Sequence, residues 1–292
     1  MVTSSGYFVP LEPQAATPGE DLELMYESKD GPCQLLKGHK NDRIVVYKVL
    51  KPAFRDEPVY QRLLRREYEI GASLTHPGVC QTLGWTRLPE YGEAIEMEWI
   101  GGVRLDRWLQ EHRGEKARQR RILMDICDAL SYLHRKQVIH KDLKPENILV
   151  TRYGDYPKII DFGLSDTDSI LTGKEPGGTL LYAAPEVVAG GEADALSDIY
   201  SLGRIMQGMG PSFARVARKC TAVERERRYS SAEAVARDLR KIHVLRRATF
   251  VCILILLFAG AVGSILSRHR TDPVEELWQE AVEQVRQAAN PS

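Results

Sequence analysis

The run His140-Lys141-Asp142-Leu143-Lys144-Pro145-Glu146-Asn147 places a carboxylate five residues before a carboxamide. Nineteen residues after Asp142 stands Asp161-Phe162-Gly163, and Ala184-Pro185-Glu186 closes the segment. Asn147 and Asp161 offer the hard oxygen donors that suit Mg²⁺, an ion that shares its coordination shell with substrate phosphates. Asp142 is a separate carboxylate, placed to take a proton from an attacking hydroxyl. One such motif alone is chance noise. Three, in order and at these spacings, point to a single site.

Upstream of this segment, three short strands are expected between Leu22 and Val49, broken at Asp30-Gly31-Pro32 and at Gly38-His39-Lys40-Asn41-Asp42. A helix follows over about 57–74, then strands near 79–86 and 93–99. The chain to 245 then reads mainly helical. Within Lys116–Lys136, Ile122, Ile126, Leu130 and Leu133 recur on one helical face. Residues 1–20, with Pro10, Pro13 and Pro18, read as an extended tail.

Lys plus Arg and Asp plus Glu each number 40 among 292 residues, so the formal net charge is zero. A polybasic nucleic-acid binder is thereby excluded as the default, and no nucleic-acid partner is expected. The five cysteines form no C-x-x-C pair, which argues against a zinc site or a disulfide framework and fits a reducing compartment.

From Ala248 to Ser267 the chain carries twenty residues without a charge. A helix of that length rises about 30 Å, the thickness of a bilayer's hydrocarbon core. A single membrane-spanning helix is expected at 248–267. Arg237, Arg240, Lys241, Arg246 and Arg247 before it set the N-terminal bulk in the cytoplasm, at the cell membrane. The start MVTSSGYFVPLEPQ lacks the basic and apolar regions of a signal peptide. In the tail 268–292, Asp272-Pro273-Val274-Glu275 reads as a helix start, and Val274, Leu277, Ala281, Val285 and Ala288 line one face. That face is either a frayed amphipathic tail or a homodimer or partner contact.

These motifs resemble the eukaryotic-type Ser/Thr protein kinases, in a plan similar to the membrane-anchored kinases of bacteria. The resemblance covers about 21–245 and is tightest at 138–203. It implies an α+β bilobal protein kinase fold: a small, mainly antiparallel β N-lobe with one helix (about 21–99), then a larger helical C-lobe (about 100–245). It implies ATP and Mg²⁺ as cofactors, with Mn²⁺ as an alternative ion, and proteins as substrates. Asp142 would be the catalytic base and Lys144 the lysine near the γ-phosphate. Asn147 and Asp161 would hold the metal ions. Lys48 would grip the α and β phosphates, steadied by Glu67, which stands nine residues before His76-Pro77. Glu69 is the weaker candidate for that partner, because two positions on it meets a different helix face. The Glu98 carbonyl and Ile100 amide would read adenine, with Leu149 packing beneath. Glu186 would pair with Arg228, and Asp198 would brace the catalytic loop.

The sequence departs from this pattern in four places. Ser28, Asp30 and Cys33 stand where the family carries phosphate-loop glycines, with Gly31 between them. Val46 adds bulk where a small residue usually lies over adenine, so weak or slow ATP binding is expected. Lys141 replaces an arginine that clamps a phosphorylated activation loop through a bidentate fork. Activity is therefore expected to depend little on Ser165, Thr167, Ser169 or Thr172, and Thr179 is expected to contact the catalytic loop. Finally, 24 residues separate Gly203 from Arg228, about half the family's usual length, which trims the substrate-docking region. The alternative function is a catalytically weak pseudokinase serving as a membrane-tethered scaffold or nucleotide-sensing module.

Overall fold

The computed structural model describes residues 21–28, 31–161, 178–268 and 273–289; for 178–179, 243–254, 265–268 and 273–275 it gives the backbone alone. Residues Met1–Leu239 form one unit and Arg240–Ser292 a second.

The first unit opens with strands β1 (Glu23–Glu27), β2 (Cys33–Lys40) and β3 (Arg43–Leu50). Helices α1 (Pro52–Arg55) and α2 (Pro58–Ala72) follow, then β4 (Thr82–Leu88) and β5 (Gly92–Glu98). The five strands make one antiparallel sheet in the order β1-β2-β3-β5-β4. The expected break at 38–42 shrinks to two residues. Asn41 and Asp42 both take positive φ, 49° and 60°, and close a tight hairpin while β2 runs on through Lys40. Asn and Asp tolerate that left-handed backbone better than other side-chain residues, so the pair suits a two-residue turn.

The pleat of β3 decides where its lysine goes. Tyr47 and Val49 pack with Leu36, Leu88 and Ala94 on one face of the sheet. Leu50 packs with Cys33, Leu64 and Ile95 on the other. Successive side chains alternate faces, so Lys48 shares the Leu50 face, toward α2. Helix α2 starts at Pro58, which suits a first turn where no N–H is needed. It buries Leu64, Glu67 and Gly71, positions that share a helical face. A Cβ at Gly71 would run into the Thr82 hydroxyl of β4, so glycine there lets α2 lie close on the sheet.

The second half of this unit is mainly helical, as the sequence reads, with three short strands besides: β6 (Gly102–Arg104), then helices α3 (Leu105–Glu111) and α4 (Lys116–Arg135), then β7 (Ile148–Thr151) and β8 (Pro157–Ile159). Strands β6, β7 and β8 form a second antiparallel sheet. These strands hold three or four residues each, too short for a period-two pattern to emerge from the sequence. Helices α5 (Pro185–Val188), α6 (Ala195–Gly208), α7 (Ala214–Cys220) and the start of α8 (Ala232–Arg268) complete the unit. Ile122, Leu123, Ile126, Leu130 and Leu133 of α4 are fully buried, as are Ile199 and Leu202 of α6. Asp194 caps α6, accepting from the Leu196 and Ser197 amides in a capping box.

In the second unit the backbone is helical through residue 268, and α9 (Pro273–Ala288) follows. The expected membrane-spanning helix is not found: among the described residues no helix is long and apolar enough to cross a membrane. Only Ile255–Ser264 of the uncharged run carry described side chains. Ten helical residues rise about 15 Å, half the hydrocarbon thickness. Within them Leu256 and Phe258 are exposed, as are Leu277, Trp278 and Val285 on α9. Asp272, the expected cap of α9, lies outside the described residues.

Candidate active site

Lys48 sits between two carboxylates. Its Nζ donates to Glu67 Oε1 at 2.6 Å and to Asp161 Oδ1 at 2.5 Å. Lys48 and Glu67 are both buried, which strengthens their attraction but also makes each charge costly without a partner. Burial alone would lower the Lys48 ammonium; Asp161 and Glu67 outweigh it and hold the pKa well above its usual value. Burial pushes the Glu67 carboxyl up to about 7, with Lys48 pulling down and Asp161 adding to the rise. Burial would also raise Asp161, yet the Lys48 charge and hydrogen bond hold its carboxyl below the usual range. Asp161 thus stays ionised while Glu67 titrates near neutrality. Glu69, the rival candidate, is exposed and pairs with Arg65 at 3.3 Å.

The catalytic-loop candidates form a second cluster. Lys144 Nζ donates to Asp142 Oδ2 at 2.6 Å, and Asn147 Nδ2 donates to the same oxygen at 3.0 Å and to the Asp142 carbonyl at 2.9 Å. Because the Asn147 amide nitrogen is turned to Asp142, its Oδ1 is the atom able to meet a cation. The Ile160 amide donates to the Asn147 carbonyl at 3.0 Å, which sets Asp161 beside Asn147 although 13 residues part them in sequence. Asp161 has φ 67° and Lys141 φ 70°, left-handed backbone that costs energy outside glycine.

That strained loop is anchored from below by Asp198, fully buried on α6. Its Oδ2 accepts from the His140 amide at 2.9 Å and its Oδ1 from the Lys141 amide at 2.9 Å. Its Oδ2 also meets His134 Nε2 at 2.8 Å. The expected Glu186–Arg228 pair is present and bidentate, at 2.7 and 2.8 Å. Burial would raise Glu186, but the Arg228 hydrogen bond holds its carboxyl below the usual range.

Residues 28–214 match the protein kinase domain family. The chain belongs to that family. Mouse Aurora kinase B is 33% identical over 178 residues, which span 61% of this chain and 51% of the relative. The serine/threonine-protein kinase PknB of Mycolicibacterium smegmatis is 34% identical over 180 residues, 56% of this chain and 28% of the relative. This chain therefore spans about a quarter to a half of the length of these curated relatives. Among solved structures, the Mycobacterium tuberculosis PknI kinase domain is similar in fold, with a TM-score of 0.59 at 20% identity, covering 78% of this chain and 97% of that domain.

Within this kinase domain, Glu98 ends β5 and pairs with Val45 of β3, and Ile100 lies buried two residues on. Leu149 is half-buried on β7, opposite Lys158 of β8. Val46 is buried on the Lys48 side of β3, opposite Met97. At the phosphate-loop positions, Ser28 Oγ accepts from the Gly31 amide at 2.8 Å, and Lys51 Nζ donates to the Ser28 carbonyl. The turn is thus fastened by side chains where bare glycine backbone was missing from the sequence. Asp30, Phe162, Gly163 and the hydroxyls of Ser165, Thr167, Ser169 and Thr172 lie outside the described residues, as does the Thr179 side chain.

Two residues with evident roles were not singled out from sequence. His134 completes the ring of donors around Asp198. Lys158 binds the Glu98 side chain at 2.6 Å. Their spacing gives no cue, since each partner is 60 or more residues away.

Proposed function

We propose that this chain transfers the γ-phosphate of ATP to Ser or Thr hydroxyls of proteins. The single observation that carries this reading is Lys48 held between Glu67 and Asp161 beside an Asp142 fixed by Lys144 and Asn147. The donor set fits a hard divalent cation: Asn147 Oδ1 and an ionised Asp161 would hold Mg²⁺ together with phosphate oxygens. When bound, Mg²⁺ neutralises charge on the transferring phosphate.

Lys48 aligns the α and β phosphates, and its two carboxylate partners fix an otherwise mobile side chain before nucleotide arrives. Glu98 and Ile100 supply a backbone acceptor and donor for adenine, over Leu149. Asp142 orients the substrate hydroxyl and accepts its proton as the oxygen bonds to the γ-phosphorus and the bond to the β–γ bridging oxygen breaks. Lys144 places a positive charge beside that carboxylate and the transferring group.

The test is phosphate transfer from labelled ATP by the full chain, with Asp142→Ala beside it. Loss of a general base costs about 10²–10⁴-fold in rate, so incorporation should fall by that factor while nucleotide still binds. Binding without transfer by the unaltered chain would favour the scaffold reading, which the side-chain-fastened turn at Ser28–Gly31 supports.

Attachment to the cell membrane by a single pass at 248–267, with the kinase domain in the cytoplasm and a role in signalling, belongs to the same proposal. Its support is the uncharged twenty-residue run and the arginines before it. The exposed Leu277, Trp278 and Val285 of α9 support a homodimer or partner contact. Release of the chain from membranes by alkaline carbonate would overturn the attachment.

A further inference from the structure

Glu98 supplies two different things to the end of β5. Its backbone carbonyl is the proposed adenine acceptor, and its side chain is tied elsewhere. Glu98 Oε1 accepts from the Gln81 amide at 2.8 Å and from Lys158 Nζ at 2.6 Å. The Glu98 amide also donates to the Gln81 carbonyl at 3.0 Å. Both side chains of the ion pair are largely withdrawn from water, at 24% and 19% exposure. Such a pair is screened far less than one on the open surface.

Lys158 is well chosen as the other end of this tie. It lies on β8 directly opposite Leu149, the proposed floor under adenine. It also stands three residues before Asp161, the proposed metal ligand. Behind the pair, a cavity of about 260 Å³ opens between Glu98, Lys158, Gln81 and the segment Thr75-His76-Pro77. Val79 and Pro77 line the same cavity, so the ion pair borders open space on one side. Backbone bonds already tie β8 to the 78–81 segment, from the Cys80 amide to the Ile159 carbonyl at 2.8 Å and from the Ile159 amide to the Gly78 carbonyl at 2.9 Å; the charge-assisted bond adds a direct side-chain tie from β5 to β8.

We infer that Lys158 is a positioning residue for base recognition: through the Glu98 side chain it holds the adenine-reading backbone at a set distance from Leu149 and Asp161. This rests on the reading of Glu98 and Ile100 as adenine contacts. Lys158 has no part in the proposed transfer step and its Nζ is bound to the Glu98 side chain, so its removal should spare the chemical step and loosen the base site.

The test uses the full chain with ATP and GTP as the two probes. Lys158→Met keeps the length of the side chain and removes its charge. The expected result is a KM for ATP raised about tenfold, an ATP-over-GTP preference reduced by a similar factor, and kcat within about twofold. Lys158→Arg should retain most of the preference. Glu98→Gln weakens the same bond from the other side, and Lys158→Met/Glu98→Gln together should shift KM no further than the larger single change. An unchanged base preference in Lys158→Met overturns the inference, as do additive shifts in the double variant. Should Lys158→Met not fold, the Lys158→Arg and Glu98→Gln pair decides the matter by the same two readouts. A wild-type chain that transfers phosphate with no preference for ATP overturns the adenine reading itself, and the inference with it.

Discussion

The floor of the cleft and its roof are built by different means. On the floor, the strained turn at Lys141 is held by a buried Asp198 that meets two backbone amides and His134. The reactive carboxylate above it is fixed by Lys144 and Asn147. On the roof, the described residues flanking the β1–β2 turn are held by the Ser28 hydroxyl on the Gly31 amide, by Lys51 on the Ser28 carbonyl, and by backbone bonds from Ser28 to Cys33 at 3.3 Å and from Lys51 to Pro32 at 2.8 Å. The floor is anchored by a buried carboxylate, and the described part of the roof by a hydroxyl, a lysine and backbone bonds. The difference teaches that, in the proposed site, the groups that would take the proton and hold the metal are each fixed by charge-assisted bonds, while the described phosphate-loop positions carry side chains in place of glycine.

The sharpest way to break this comparison is at the joint between the two. Lys48→Met removes the cation that Glu67 and Asp161 share and leaves two carboxylates facing each other. The expected loss in kcat/KM for transfer is about 10²–10³-fold, the scale of losing one preorganised charge contact. Retention of more than about a tenth of the activity would remove the joint from the site.

Next in size is the floor's own anchor. Asp198→Ala leaves the His140 and Lys141 amides without their buried acceptor, at about 1–3 kcal/mol for each unsatisfied group. Denaturant unfolding should show a loss of about 3 kcal/mol, whereas a surface carboxylate changed in the same way moves stability by about 0.5 kcal/mol or less.

A pH series separates the two roles of Glu67. Its folded pKa, about 7, lies above the ordinary value for a carboxyl. The folded state thus binds this proton more tightly than the unfolded chain. The stability it contributes is full below the unfolded pKa near 4.5 and is lost as pH rises through about 7. Activity runs the other way, because the Lys48–Glu67 ion pair needs the ionised carboxyl. kcat/KM for ATP should fall as pH drops through about 7, and Glu67→Gln should flatten that limb. A profile with the same limb in Glu67→Gln would assign it to another group.

The smallest effect is expected on the roof. Ser28→Gly deletes one partly buried hydrogen bond, about 1 kcal/mol, so the KM for ATP should move by about fivefold or less. A shift beyond about twentyfold would show that the turn grips nucleotide after all.

The catalytic floor was the most legible part of the sequence, for a physical reason. Asp142, Lys144 and Asn147 lie within one short loop, so their spacing in the chain is nearly their spacing in space. Glu67 was singled out by its place nine residues before His76-Pro77, as the resemblance implies, and helical period set Glu69 on another face; in the structure Glu67 is buried on α2 and Glu69 is exposed. The strands β6–β8 were missed because they are shorter than the window in which alternation can be read. His134 and Lys158 were missed because each meets its partner only through tertiary structure, 64 and 60 residues away. The β2–β3 break was placed too early: Gly38 and His39 look like turn residues, but cross-strand pairing with Val45 and Ile44 keeps them extended.

The asymmetry between floor and roof is tested most directly by measuring nucleotide affinity and saturated transfer rate on the same preparation of the full chain. The predicted result is an ATP dissociation constant well above the low-micromolar range, with a saturated rate inside the ordinary kinase span of about 1–100 s⁻¹. Low-micromolar binding, or no transfer at saturating ATP and Mg²⁺, would contradict it.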